Sequence, residues 1–455
     1  MKIIIVGLGQ TGKLLAVVAS KEHHEVVVVD NNKEVVEQMT EKYNVSGVVG
    51  SGGSRKILLQ AGADSADLLV ALTPFDELNI LACATAKKLG TREATARIRC
   101  PEFDEDEAYI MEEYGIDRLL NPEKEVAKEL FLHTELPGGL RTEAFFDRKL
   151  IIAELLVQEG WMIAGQKVAQ VKEFFETEML VVAITRKQDV IIPNGNTVLM
   201  PGDKIEIILP VKSVKHIIRK LHMSRKQVKH ILLVGCDTTG YYLAKELSAA
   251  GSSFKILEKD QMRCIELSKL FPDSQVICGD AVDTKALKEE GIRKMDSCIA
   301  ATGDDRTNLA VSLYAHAEGV PQVLTKINEM GYDVLLRKTD ISMCVSPSSV
   351  IVETLLSYIR NLSSSDRSRI KKLYRIADDR AEAIAFEVTE SCREIGVPFK
   401  EPGFRLKKGI LVAAIIRGRD VIIPDGNSVM QAGDTVIIVT DAGNVLKEID
   451  DIFAE

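Results

Sequence analysis

Short apolar runs punctuate the chain at regular intervals. In the first third they fall near 2–6, 26–30, 45–49, 67–72, 94–99 and 118–121. A second series falls near 230–234, 254–258, 275–278, 297–301, 321–326 and 342–345. Each run suits a strand buried on both faces, and the segments between are long enough for a helix. Alternation of this kind predicts a parallel sheet with helices on both sides and any ligand at the carboxyl ends of the strands. The segments near 140–211 and 373–441 read differently. LVVAITR and ILVAAIIR are strand-like, PNGN and PDGN are turn chemistry, and PGDKIEIIL and AGDTVIIVT are a turn feeding another strand.

The two series are copies of one another. DVIIPNGNTVLMPGD (189–203) returns at 420–434 as DVIIPDGNSVMQAGD, with ten of fifteen positions identical. TPFDELN (73–79) matches TGDDRTN (302–308), and Arg97 and Lys326 each lie 18 residues after the closing Asn. An internal repeat on this scale means two tandem units. The expected fold class is therefore α/β: two Rossmann-like doubly wound parallel-sheet domains, each followed by a small α+β subdomain. The boundaries expected are 1–135, 136–214, a basic linker at 215–229, then 230–365 and 366–455. Gly195 and Gly426 are expected in turns between strands, where positive φ is easy for glycine.

The first apolar run opens onto Gly7, Gly9 and Gly12, a GxGxxG pattern, and the second ends in Asp30, 23 residues after Gly7. Gly7 permits the tight turn, Gly9 lets a pyrophosphate approach the backbone, and Gly12 lets helix and strand pack closely. The helix N-terminus then faces the phosphates, and Asp30 is placed to accept from ribose hydroxyls. In the second copy Gly235 to Glu258 is again 23 residues, and Gly240 is kept, but Asp237 stands where Gly9 stood. A carboxylate there repels a phosphate, so the two sites are not expected to bind one ligand equally. The tip of the third strand also differs, GSGGS (50–54) against GDAVD (279–283).

Composition narrows the classes. The chain has 455 residues, 46% of them hydrophobic, 27% charged, and a net charge of −9. That balance disfavours a general nucleic-acid binder. No apolar stretch approaches the ~20 residues that cross a bilayer, and Met1 is followed at once by KIIIVG, so neither a span nor a leader is expected. Eight cysteines lie at 83, 100, 236, 264, 278, 298, 344 and 392 without metal-site spacing; they read as small core residues, and no metal site is expected. The segment 211–229 carries seven Lys/Arg and no acid, an amphipathic linker helix by pattern. The acidic stretch 102–113 reads as a solvated helix face. The small subdomains hold no histidine and read as structural or dimerising modules.

GLGQTG, VVGSGGSRKILLQAGADSADLLVALTPFDELN and ARIRCPEF, in that order, resemble the TrkA-type family. These are peripheral, NAD-binding subunits of bacterial Trk potassium-uptake systems, built from regulator-of-potassium-conductance (RCK, or KTN) units. The resemblance covers essentially the whole chain. It implies a non-enzymatic cytoplasmic regulator, peripheral on the inner face of the cell membrane through a potassium-translocating partner that it gates. The implied ligand is NAD or NADH, with ATP or ADP as further candidates. Carried over by residue, Gly7, Gly9, Gln10, Thr11 and Gly12 lie on the phosphates and Asp30 on the ribose. Ser51, Thr73 and Arg97 surround the remainder, and Gly235, Gly240 and Glu258 mark the second site. No catalytic residue is implied, and potassium is not expected to bind here. Two units per chain suggest a homodimer or homotetramer. Two alternatives stay open: an NAD-dependent oxidoreductase, which needs a general acid or base beside the nicotinamide, and a regulator of a different potassium channel or transporter.

Overall fold

A computed structural model describes residues 1–134, 141–145, 149–187, 189–220, 228–329, 331–332, 341, 343–363, 368–441 and 443–454. The first copy begins with six parallel strands: β1 (Lys2–Val6), β2 (Glu25–Asp30), β3 (Ser46–Val49), β4 (Leu68–Ala71), β5 (Glu93–Arg97) and β6 (Arg118–Leu120). Their order is β3-β2-β1-β4-β5-β6. The chain reverses direction across the sheet between β1 and β4, which opens a crevice at their carboxyl ends. β1 is central, and Ile3, Ile4 and Ile5 are fully buried. That burial on both faces is why the run is uniformly apolar rather than alternating.

A five-stranded antiparallel sheet follows: β7 (Arg141–Phe145), β8 (Leu150–Leu156), β9 (Leu180–Arg186), β10 (Asp189–Ile191) and β11 (Lys204–Pro210), ordered β10-β9-β11-β8-β7. The second copy repeats both sheets. Its parallel strands are β12 (His230–Val234), β13 (Ser253–Glu258), β14 (Gln275–Cys278), β15 (Ser297–Ala300), β16 (Gln322–Lys326) and β17 (Met343–Val345). Their order, β14-β13-β12-β15-β16-β17, is that of the first copy. The closing sheet is β18 (Ser368–Ile376), β19 (Ala381–Val388), β20 (Ile410–Arg417), β21 (Asp420–Ile422) and β22 (Thr435–Asp441). The α/β fold class and its duplication are as expected.

Compactness does not follow the tandem order. One compact unit holds Met1–Phe131 with Lys229–Leu355, and the other holds Leu132–Val228 with Leu356–Glu455. The two parallel-sheet domains thus pair with each other, and so do the two small subdomains. In the second unit one apolar cluster draws Leu150, Ile152, Val182 and Ile208 from the first small sheet and Ala383, Ala385, Ile437 and Val439 from the second.

Three expectations need correction. The basic segment is not a free linker at its start: the helix Val211–Lys220 places Val214 and Ile217 in the core of the first small subdomain, while 221–227 lie outside the described residues. The acidic stretch is not merely solvated, since Asp104 accepts from Tyr242 of the second copy (3.0 Å). Gly195 and Gly426 lie in turns, but positive φ belongs instead to Gly202 (86°) and Gly433 (88°). At Gly426 the neighbour is close, since a Cβ there would stand 3.2 Å from the Lys400 Cβ, whereas one at Gly195 would make only ordinary contact with Ala169 at 3.5 Å.

The repeated segment that announced the duplication closes a loop. Arg186 at the end of β9 donates from Nε and Nη2 to the two oxygens of Asp203, both at 2.8 Å, and from Nη2 to the Val198 carbonyl. Arg417 does the same with Asp434 and Val429. The fork of a guanidinium matches a carboxylate bidentately, so the spacing from Arg to Asp is kept in both copies.

Candidate functional site

At the carboxyl end of β1 the backbone turns at Gly7, with φ of 96°, and the helix Gln10–Lys21 begins. Gly9 and Gln10 are exposed, and a Cβ built on Gly9 meets nothing within 4 Å, so the space before the helix is open. Gly12 has the opposite reason: a Cβ there would collide with the Gly7 carbonyl oxygen. No side chain caps this helix. Its first N–H groups, which have no partner inside the helix, face the open space with the positive end of the helix dipole.

Asp30 flanks the same space. Its Oδ2 accepts from the Leu8 N–H (2.7 Å) and its Oδ1 from the Asn32 N–H (2.8 Å). Ser51 is exposed and accepts from the Gly53 N–H. Its loop passes over the end of β1, since a Cβ on Gly52 would strike Val6. Arg97, at the end of β5, donates from Nη2 to the Thr73 carbonyl (2.6 Å), while its Nε is buried without a hydrogen-bond partner. Burial, and then the neighbouring Arg99, depress its pKa. A half-buried guanidinium with an unused buried Nε donor, beside another guanidinium, is a place where an anion would be favoured.

Two side chains expected on the ligand are engaged elsewhere. Thr11 is buried, with its Oγ1 3.2 Å from the Oγ of Ser348 in the second copy, so only its backbone serves the helix N-terminus. The Thr73 hydroxyl donates to Asn79 Oδ1 (2.7 Å). Asn79, fully buried, was missed as a site residue. Its amide donates to the carbonyls of Thr73 and Arg97 (3.0 and 2.9 Å), fixing the ends of β4 and β5 relative to each other. The signal was present, since Asn308 makes the same bonds to Thr302 and Lys326.

The second copy fills the same place from within. Gly235 turns with φ of 80°, and Gly240 packs against it as Gly12 does against Gly7. Asp237, at the position of Gly9, caps the helix Thr238–Ala249: Oδ1 accepts from the N–H groups of Thr239 and Gly240 at 3.0 and 3.2 Å. Its Oδ2 accepts from Lys326 Nζ at 2.6 Å. Lys326, the counterpart of Arg97, is buried, and its ammonium also reaches Thr239 Oγ1. Glu258 accepts from Cys236 N–H (2.8 Å) and from the N–H groups of Lys259 and Asp260, as Asp30 does in its loop. The donors that stand open in the first site are here satisfied by the protein's own carboxylate.

Glu123 lies near both cationic groups. Its Oε1 is 3.8 Å from Arg99 Nη1, and Arg97 and Lys326 also act on its charge. Burial nevertheless dominates and raises its pKa. Among the described residues there is no group of three or more His, Cys, Asp or Glu side chains able to hold a metal ion. No helix among them is long and apolar enough to cross a membrane.

A doubly wound sheet with an open helix N-terminus, an acid at the end of its second strand and a half-buried arginine defines a Rossmann-type domain, here duplicated and interleaved with small β subdomains. The TrkA-N domain model matches residues 3–122 and 231–347, and the TrkA-C domain model matches 152–222 and 383–454. The chain belongs to the TrkA family. It is 30% identical over its full length to the Trk system potassium uptake protein TrkA of Haemophilus influenzae, covering 98% of that protein. To homolog 1 of Methanosarcina mazei it is 29% identical, over 96% of this chain and 97% of the other. The crystal structure of the GsuK RCK domain shares the fold, with a TM-score of 0.58 at 20% identity over 97% of this chain and 92% of that one. So does the GsuK channel bound to NAD, with 0.57 at 18% identity over 97% and 77%.

Proposed function

We propose that the chain is a regulatory subunit that binds NAD(H) or an adenine nucleotide at its first site and thereby gates a Trk-type membrane potassium transporter. The observation that carries the reading is the contrast between the two copies. Asp237 puts a carboxylate on the helix N-terminus and on Lys326, whereas the matching first turn of the helix Gln10–Lys21 has no side-chain cap and the Arg97 Nε has no hydrogen-bond partner. A ligand phosphate is the anion that fits there. The GsuK structures bound to NAD and to ADP support the ligand class, and the naming of the full-length relatives supports the potassium-uptake role. The first-site set is Gly7, Gly9, Gln10 and Gly12 with Asp30, Ser51 and Arg97. The second site, with Gly235, Gly240 and Glu258, is closed to pyrophosphate. The chain reaches the inner face of the membrane through its partner and acts as a dimer or tetramer.

Calorimetry of the full-length protein with NAD, NADH, ATP, ADP and AMP tests this. One nucleotide per chain is expected. Two equivalent sites, or none, would refute the reading. Oxidation of NADH with any of a panel of small carbonyl substrates would instead favour the dehydrogenase alternative.

A further inference from the structure

The two parallel-sheet domains differ beside the acid that ends their second strand. In the first copy, Val36 stands on the helix Lys33–Lys42 and Val49 pairs with Asp30 across β2 and β3. In the second, Cys264 stands on the helix Gln261–Leu270 and Cys278 pairs with Glu258 across β13 and β14. The thiol of Cys264 donates to the Glu258 carbonyl at 3.3 Å and lies 4.0 Å from the Ile277 carbonyl. The thiol of Cys278 lies 3.9 Å from the Lys259 carbonyl. Successive carbonyls of one turn thus gather both thiols. Burial first, and then the neighbouring Cys278 thiol, push the Cys264 thiol up to about 11.

Their exposure differs in a useful way. Cys278 lies on β14 at the edge of the sheet and is the one exposed cysteine among the described residues, while Cys264 is buried behind it. Thiolate fraction and access decide which thiol reacts first, and a neighbouring thiol resolves the product.

We propose that Cys264 and Cys278 form a reversible two-electron thiol–disulfide pair at the rim of the second site, oxidised by a peroxide. Cys278 loses its proton to solvent, and the thiolate attacks one oxygen of hydrogen peroxide. The O–O bond breaks, a sulfenic acid forms on Cys278, and the departing hydroxide takes up a proton to become water. The Cys264 sulfur then attacks the sulfenic sulfur. The S–S bond forms, the S–O bond breaks, and the hydroxyl leaves as a second water with the proton from Cys264. Two thiols are oxidised and one peroxide is reduced to two waters. The bond ties the helix Gln261–Leu270 to the edge strand across the turn in which Lys259 and Asp260 donate to Glu258.

The test uses reduced full-length protein treated with stoichiometric hydrogen peroxide, then alkylated, digested and mapped by mass spectrometry. The expected product is a single cross-link joining the Cys264 and Cys278 peptides, with loss of two free thiols and full reversal by dithiothreitol. In Cys264→Ser, dimedone should trap a sulfenic acid on Cys278 and no cross-link should form. Hydrogen exchange at Lys259 and Asp260 should slow in the oxidised parent. Absence of reaction, prior oxidation of another cysteine, or conversion of Cys278 to sulfinic acid in the parent while Cys264 stays reduced would overturn the proposal. These outcomes are read without nucleotide, so they stand apart from the function proposed above.

Discussion

Positions 9 and 237 begin the same helix in two copies, and a single carboxylate separates their chemistry. Removing it in Asp237→Gly frees the N–H groups of Thr239 and Gly240 and leaves Lys326 without its anion. Loss of a cap and of a charge-assisted bond should lower stability by about 1–3 kcal/mol in denaturant melts. The same change should open the second site. Calorimetry with inorganic pyrophosphate should then find one more equivalent per chain than in the parent; an unchanged stoichiometry would mean that the loop is closed by something other than Asp237. The two acids should separate as well. A lost hydrogen bond to a carboxylate is worth roughly 1.5–3 kcal/mol, or about 10–100-fold in affinity. Asp30→Ala should show that loss for NAD, and NADP should bind the parent more weakly than NAD, because Asp30 repels a 2′-phosphate. Glu258→Ala should leave affinity nearly unchanged and cost only stability.

At the level of elements, the clamps at the ends of β9 and β20 predict how the small sheets fail. Arg186→Ala strands the buried Asp203 and should cost about 2–3 kcal/mol; a loss below ~0.5 kcal/mol, within the range of ordinary surface substitutions, would show the clamp to be idle. Burial works against the Asp203 charge, but bonds from Arg186 and the Met200 N–H outweigh it and hold its pKa below 3.8. Its contribution is therefore complete above that value and is lost as pH falls through the lowered one. Glu206 behaves in the opposite sense. On β11 it lies directly opposite Glu154 of β8, with Asp378 and Lys204 nearby and an Ala377 N–H to accept from. Burial, then the charges of Glu154 and Asp378, raise its pKa from 4.5 to about 8. Between those values the folded chain keeps a proton that the unfolded chain releases, so stability falls as pH rises across the window. Glu206→Gln should flatten thermal stability between pH 5 and 8, as read from melting curves, relative to the parent. The same slope in both proteins would assign it to another group.

For the molecule as a whole, the pairing of the parallel-sheet domains matters most. Thr11 meets Ser348 at the start of the helix Pro347–Ser363. The same pair of elements meets in the other direction through different residues: Asn121, just before the helix Pro122–Thr134, donates to Tyr242 on the helix Thr238–Ala249 (2.9 Å). A ligand that orders the start of the helix Gln10–Lys21 therefore acts one hydrogen bond away from the second domain. Ligand-driven switching needs a difference in affinity between two states of such an arrangement. Hydrogen exchange with and without NADH should show slower exchange at 348–352 as well as around 8–13. Protection confined to the first domain would mean that this contact does not transmit binding.

What the sequence determined by itself was local and periodic. Strands buried on both faces, such as β1 and β4, read as uniform apolar runs, and the runs coincided with the parallel strands, the more exposed edge strands β3 and β14 included. Fixed spacings placed the glycine turn and the acid at the end of the second strand, because both act within one strand–turn–helix unit. The tertiary structure decided which copy packs on which. Thr11 and Ser348 are 337 positions apart, Tyr242 and Asp104 138, and Lys326 and Asp237 89. An apolar stripe records that a face is buried, but two copies of one fold offer it similarly patterned partners. Only the tertiary structure could show that Thr11 serves the second domain and, inside that domain, that Asp237 holds Lys326 and that Cys264 and Cys278 converge on one turn. In each case the choice rests on side-chain geometry between elements, which spacing along the chain does not encode.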